Sequence, residues 1–202
     1  MTGPDILDAG CVGGVLPRTA AEEEHCLHLQ LCKNLPHAHV VGFDVNRAAV
    51  SELKAKGFEV LVGDAEDMNL DAHFDTIIGG ELIEHLANPG RFLEGCRRHL
   101  KPGGKLILST PNPFCIMCFL TYLKNFTHAF NREHTLWLCP QTLRQLAERS
   151  GFQVLETIFV DDLRPEVAPS LYYRIFAHVY RLCRPFLPKR YRNTILAVLE
   201  PK

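Results

Sequence analysis

Two short stretches carry side chains whose type and spacing could do chemistry. "ELIEH" supplies Glu81, Glu84 and His85, and "NREHTLW" adds His134 farther along the chain. On a helical turn the first and fourth residues of such a cluster share a face, with the fifth adjacent. Histidine has an ordinary pKa of ~6.5, suited to removing a proton near neutrality. His85 and His134 are therefore candidate general bases, with Glu84 beside them. The same residues, with Glu81, make a hard mixed N/O set that could hold Mg²⁺, Mn²⁺ or Zn²⁺. The metal is the less favoured reading, because a packed imidazole and locally bonded carboxylates account for the pattern equally simply.

A second set lies at the ends of apolar runs. "PDILDAGCVGG" ends an apolar stretch in Asp8, followed by Gly10, Gly13 and Gly14 without an intervening charge. "VGFDVN" ends in Asp44, "GDAED" offers Asp64 to Asp67, and "STPNPF" runs from Ser109 to Phe114. A pyrophosphate would want GxGxxG and no carboxylate nearby. An Asp two residues ahead of the first glycine suits a ligand with a cationic end instead. Asp44, with enough lone pairs for two hydroxyls, would take a ribose. Asp64 and Ala65 would meet an adenine.

The elements that must position these groups alternate along the chain. Strand-like runs are "DILDAG", "AHVVGFDV", "FEVLVGD", "FDTIIGG", "GKLILST", "FQVLETIFV" and "NTILAVLE". Amphipathic stretches separate the early ones. "NRAAVSELKAKGF" places Ala48, Ala49, Leu53 and Lys56 in helical order, with Asn46 as cap and Gly57 as stop. "NPGRFLEGCRRHLKPGG" puts Phe92, Leu93, Cys96 and Leu100 on one face, and "CPQTLRQLAERSGF" turns Leu143, Leu146 and Ala147 inward. Strand alternating with helix predicts crossover connections and a doubly wound, mainly parallel α/β sheet, with the last strand antiparallel. Ligands of such sheets sit beyond the strands' carboxyl ends, where the polar groups collect.

Length and composition agree. A chain of 202 residues, 47% hydrophobic and 22% charged, suits one soluble domain. No apolar run reaches the ~18 residues of a membrane span, and the start lacks a secretory signal's pattern, so the expected location is cytoplasmic. The eight cysteines are scattered; "CIMC" at Cys115–Cys118 stands among apolar neighbours and reads as buried thiols. Residues 163–202 hold eight Lys or Arg against Glu166 and Glu200, a net +6. Such an end suits an anionic partner or a solvated helical face. Two segments interrupt the alternation: 113–130, a helical insertion within a lid or acceptor region 113–138, and 161–193, a basic helical elaboration. Phe114, Phe119, Tyr122, Phe126, Phe130 and Trp137 are candidates for an apolar acceptor pocket. "EEEH" at Glu22 to His25, with His28, reads as an exposed helix start.

"ILDAGCVGG", "FDV", "GDAED" and the run "FDTIIGGELIEHLANPGRFLEGCRRHLKPGGKLILSTPNP" resemble the motifs of the class I S-adenosylmethionine-dependent methyltransferases. "EHTLWLCPQTLRQLAERSGFQV" is similar to the subgroup that includes ubiquinone-biosynthesis O-methyltransferases. The resemblance covers about residues 4–160. It implies a Rossmann-like seven-stranded sheet, short at its N-terminus, and S-adenosylmethionine held by Asp8, Gly10, Cys11, Gly14, Asp44, Val45, Asp64, Ala65 and Glu81. It implies O-methylation of a small-molecule or lipid-linked acceptor, with His85, His134 and Glu84 on the acceptor side. Glu81, Glu84, His85 and His134 also look like the metal set of small-RNA 2′-O-methyltransferases. A metal-assisted RNA enzyme and a non-catalytic cofactor binder are thus the alternatives, nucleic acid being the less favoured partner. Two departures stand out. Val12 occupies the family's middle glycine, and 34 residues separate Gly10 from Asp44, against ~20 in a comparable dinucleotide fingerprint.

Overall fold

A computed structural model of the chain describes residues 3–13, 26–125, 131, 133–161 and 171–202. The seven apolar runs fold as β1 (Asp5–Ala9), β2 (His39–Asp44), β3 (Val60–Val62), β4 (Phe74–Gly80), β5 (Leu100–Pro111), β6 (Phe152–Val160) and β7 (Thr194–Pro201). They form one sheet in the order β3-β2-β1-β4-β5-β7-β6. β1 to β5 pair in parallel, and β7 runs antiparallel between β5 and β6. The doubly wound reading therefore holds, with "NTILAVLE" as the reversed strand. β1 is buried along nearly its whole length, as expected of a strand covered on both faces. The strand order reverses between β1 and β4, which opens a crevice beyond their carboxyl ends.

The described helices are α1 (Leu27–Asn34), α2 (Arg47–Ala55), α3 (Pro89–His99), α4 (Ile116–Asn125), α5 (Pro140–Arg149) and α6 (Leu171–Cys183). Asn46 caps α2 as its sequence predicts, its side-chain oxygen accepting the Ala49 N–H at 3.2 Å. The buried face of α2 is Ala49, Val50 and Leu53, not Ala48 and Lys56, which are exposed. Burying Val50 removes more apolar area from water than burying Ala48, so the helix settles with Val50 inward. Leu100, expected on the inner face of α3, has left the helix and opens β5 opposite Phe74. α4 lies in the predicted insertion, and α6 with two short 3₁₀ turns, Arg184–Phe186 and Lys189–Tyr191, in the basic elaboration.

One apolar core runs under the middle of the sheet and includes Leu7, Ile77, Phe92, Leu106, Leu108 and Phe152, all fully buried. Truncating a fully buried phenylalanine such as Phe92 costs ~3–5 kcal/mol. A smaller cluster of Cys11, Val12, Ala49, Val50, Leu53 and Val60 seats the first turn on α2. These two clusters fix the strand ends that carry the polar groups.

Candidate functional site

The turn after β1 depends on backbone that only glycine adopts readily. Gly10 and Gly13 have φ of +77° and +59°, and a Cβ on Gly10 would lie 3.0 Å from a Leu82 methyl. Val12 is 3% exposed and belongs to the small cluster, where a branched side chain adds packing. That explains the departure from the family's glycine: this side chain turns into the protein. Cys11 is likewise buried, and burial raises its thiol's pKa. Gly14 lies outside the described residues.

Asp44 ends β2 and binds the turn to the next helix. Its two oxygens accept the N–H groups of Val12 at 3.0 Å and Asn46 at 2.9 Å. Each carboxylate oxygen retains a lone pair for a ligand hydroxyl. Val45 beside it is 69% exposed. Asp64 caps the turn Ala65–Asp67 by accepting the Glu66 N–H at 2.8 Å, and Ala65 is buried.

Asp8 differs from these acids. Its carboxylate is buried, and the His28 ring nitrogen Nδ1 stands 3.2 Å from one of its oxygens. Burial raises the Asp8 pKa, partly offset by His28. His28 is fully buried, which corrects its reading as part of an exposed helix start; Glu22 to His25 lie outside the described residues. The ring packs edge-on against Phe58, 5.9 Å between centroids. A Cβ on Gly42 would come 3.0 Å from the His28 ring and 2.8 Å from Cys11 Sγ, so that glycine in β2 is what makes room for the pair. A histidine after an acidic run gives no sequence signal of such burial.

The second group gathers beyond β4. Glu81 has φ +50°, the one positive φ outside glycine among the described residues. Strain of this kind costs ~1–3 kcal/mol and clusters at functional sites. Its N–H is held by Ser109, by the carbonyl at 3.1 Å and the hydroxyl at 3.0 Å. Glu84 follows on a 3₁₀ turn, 1% exposed. Thr110 donates its hydroxyl to Glu84 Oε2 at 3.0 Å, while Glu84 Oε1 is buried with no hydrogen-bond donor among the described residues. Burial first, then the charge of Glu81, pushes the Glu84 carboxyl up to about 7.

Thr135 brings the distant histidine to this turn. Its N–H donates to the Glu84 carbonyl at 2.8 Å, and its hydroxyl donates to the carbonyls of Glu84 and Leu86 at 3.0 and 2.8 Å. His134 thereby meets His85 edge to face, 4.7 Å between ring centroids. Nδ1 of His134 is buried without a partner among the described residues. Burial, then His85, lowers the His134 pKa. One potential donor atom from each of Glu84, His85 and His134 lies within 4.8 Å of the others. The four residues picked out by type are thus brought together, Glu81 through its charge on Glu84. Thr110, near the end of β5, and Thr135, in the loop before α5, organise them and carry no sequence signal of that role.

An apolar cavity of about 650 Å³ opens next to the histidines, lined by Phe114, Ile116, Phe119, Trp137, Leu187 and Tyr191, with Pro113 at its edge. The Trp137 and His134 rings are 5.7 Å apart. Of the aromatic candidates, Phe114, Phe119 and Trp137 line the cavity, Tyr122 does not, and Phe126 and Phe130 lie outside the described residues. Leu187 and Tyr191 were missed because they come from the other elaboration. Asn112, 1% exposed at the end of β5, joins the two segments. Its side-chain amide donates to the carbonyls of Arg190 at 2.8 Å and Arg192 at 2.7 Å.

Comparison with known proteins agrees with this architecture. Residues 2–157 match the family described as a methyltransferase domain. A Mycolicibacterium smegmatis protein assigned to the S-adenosylmethionine-dependent methyltransferases is 29% identical over 161 residues, 78% of this chain and 55% of the relative. A ubiquinone biosynthesis O-methyltransferase of Coxiella burnetii is 28% identical over 170 residues, 77% of this chain and 66% of the relative. The chain thus spans just over half to two thirds of the length of these relatives. In fold it is similar to magnesium protoporphyrin IX methyltransferase of Synechocystis, solved with bound S-adenosylhomocysteine. That likeness has a TM-score of 0.62 at 15% identity, covering 99% of this chain and 75% of that one. With its strand order, its glycine turn and the acids at its strand ends, this chain belongs to the methyltransferase-domain family and has the class I, Rossmann-like fold of S-adenosylmethionine-dependent enzymes.

Proposed function

We propose that the chain is an S-adenosylmethionine-dependent O-methyltransferase whose acceptor, a small molecule or a lipid-linked one, carries an apolar body. The observation that carries this reading is the position of Trp137, which lines the apolar cavity and stands 5.7 Å from the His134 ring. An acceptor seated in the cavity would present its hydroxyl to the histidines. The relatives named for O-methylation in ubiquinone biosynthesis are in keeping with such an acceptor.

The cofactor would lie across the β1–β4 crevice, its ribose on Asp44, its adenine between Val45 and the Asp64–Ala65 turn, and its methionine end over Gly10 towards Glu81. Methyl transfer needs the nucleophile in line at ~3–3.5 Å and its proton removed. His134, kept neutral by burial, and Glu84, near 7, are groups that can accept that proton at pH 7. Glu84, His85 and His134 also fit a divalent cation, since Glu84 Oε1 and His134 Nδ1 are buried without partners. When bound, such an ion would supply Lewis-acid stabilisation of the acceptor oxyanion. Residues 1–202 would act as one domain, with segments 113–138 and 161–193 forming its acceptor side.

The test is calorimetry with S-adenosylmethionine, then S-adenosylhomocysteine release with a panel of apolar phenols, lipid-tailed phenols and RNA, with and without EDTA. Cofactor binding with turnover on apolar phenols is the expected result. Absence of cofactor binding, or turnover confined to RNA, overturns the reading.

A further inference from the structure

α6 carries an apolar stripe that faces away from the protein. Ile175, Val179, Leu182 and, just beyond the helix, Phe186 are 56%, 51%, 76% and 88% exposed. At 100° per residue the three helical members fall within about 60° of one another. The opposite side is fixed inward by Tyr180, 5% exposed, whose hydroxyl donates to Asp161 Oδ1 at 2.9 Å. Arg184 reinforces the anchor, pairing with Asp161 at 2.7 Å, and Arg192 does so at 3.6 Å. The helix is therefore held in one rotation, and that rotation presents large apolar groups to solvent.

Among the described residues, the charges around the stripe are of one sign. Arg174, Arg181, Lys189 and Arg190 are exposed, whereas Glu200, on β7, is the only acid among residues 171–202. Among the described residues, the acid that contacts this helix, Asp161, is buried and already paired with two arginines. Large apolar side chains flanked by cations match the boundary of an anionic bilayer, where the apolar face enters the acyl region and the cations meet headgroup phosphates. Nucleic acid would engage the cations and leave Leu182 and Phe186 in water. A helix of 13 residues is ~20 Å long, too short to cross a bilayer, and no helix among the described residues is long and apolar enough to do so. The stripe also continues into the acceptor cavity, since Phe186 precedes Leu187, which lines it.

We infer that α6 and the turn after it dock the chain flat on an anionic membrane surface. Docking does not depend on methyl transfer, so the two readings succeed or fail separately. The full chain is to be sedimented with vesicles of phosphatidylcholine alone and with vesicles in which phosphatidylglycerol replaces part of it. Binding to the anionic vesicles, weakened by salt, is the expected result. The Leu182→Ser/Phe186→Ser variant should lose at least about tenfold in vesicle affinity, and Arg174→Glu/Lys189→Glu about tenfold. Both should keep the parent's melting temperature, because the altered groups are exposed. Equal binding to neutral vesicles, no binding to either kind, retention of affinity by both variants, or preference for RNA over anionic vesicles overturns the inference.

Discussion

The two ends of this sheet carry similar residues in opposite circumstances. At the amino end Lys101 reaches Asp5 at 2.5 Å and Asp75 at 2.8 Å, and His39 joins Asp5 to Glu59 at 3.0 and 2.9 Å. Every one of these groups is partly or largely in water, and each acid is hydrogen-bonded to Lys101 or to His39. At the carboxyl end Glu84 is buried beside another carboxylate, and His134 beside another imidazole, each with a polar atom left unpaired. The first arrangement lowers the energy of the folded chain a little. The second raises it, and a fold keeps such a cluster where the unpaired atoms have a use. Between the extremes stands Asp8 with His28, buried at the carboxyl end yet paired.

This contrast can be broken in several ways, the largest first. Glu84→Gln and His134→Ala should each lower methyl transfer ~10²–10⁴-fold, the usual range for a lost general base, with the chain still folded. Initial rates of S-adenosylhomocysteine release, alongside melting curves, measure this; unchanged rates would return the cluster to a structural role. His28→Ala leaves a buried carboxylate unpaired and should cost ~3–5 kcal/mol of stability. Denaturant titration reads that loss, and a loss below 1 kcal/mol would show that Asp8 has another partner. Asp44→Ala should weaken cofactor binding by about tenfold or more, as expected for hydrogen bonds to a charged group, by calorimetry.

The smallest effect concerns pH, and its sign differs between the ends. Glu84 has a folded pKa of about 7, above the ordinary 4.5. Its contribution is present below the ordinary value and lost as pH rises through 7. Hydrogen bonds to Lys101 hold Asp5 and Asp75 below the ordinary 3.8. Their contribution is present above that value and lost as pH falls through the lowered one. In EDTA, Glu84→Gln should therefore flatten the decline in melting temperature between pH 5 and 8. Lys101→Ala should instead lower the melting temperature above the ordinary carboxylate value of 3.8 and flatten its decline on the acid limb, and leave methyl transfer unchanged.

Local signals made much of the site legible. Asn46 and Gly57 bound α2 because a cap and a stop act within one turn. Asp44, Asp64 and Glu81 fell at strand ends because apolar runs mark where strands finish. Phase and pairing were harder. Ala48 against Val50, and Leu100 as strand rather than helix, were settled by which residue removed more area from water and which found a backbone partner across the sheet. His28 gave no sign of burial, because its partner Asp8 lies 20 positions away.

By itself the sequence determined the alternation of strand and helix, the glycine turn and the carboxylates at the ends of β1 to β4, since all follow from periodicity and short-range backbone chemistry. Tertiary structure alone decided that Thr135 stitches His134 to His85, that Asn112 brings Leu187 and Tyr191 against α4, and that Tyr180 turns the stripe of α6 outward. These are contacts between segments tens of residues apart, and they form only once burial and hydrogen bonding across the folded sheet have fixed which surfaces meet.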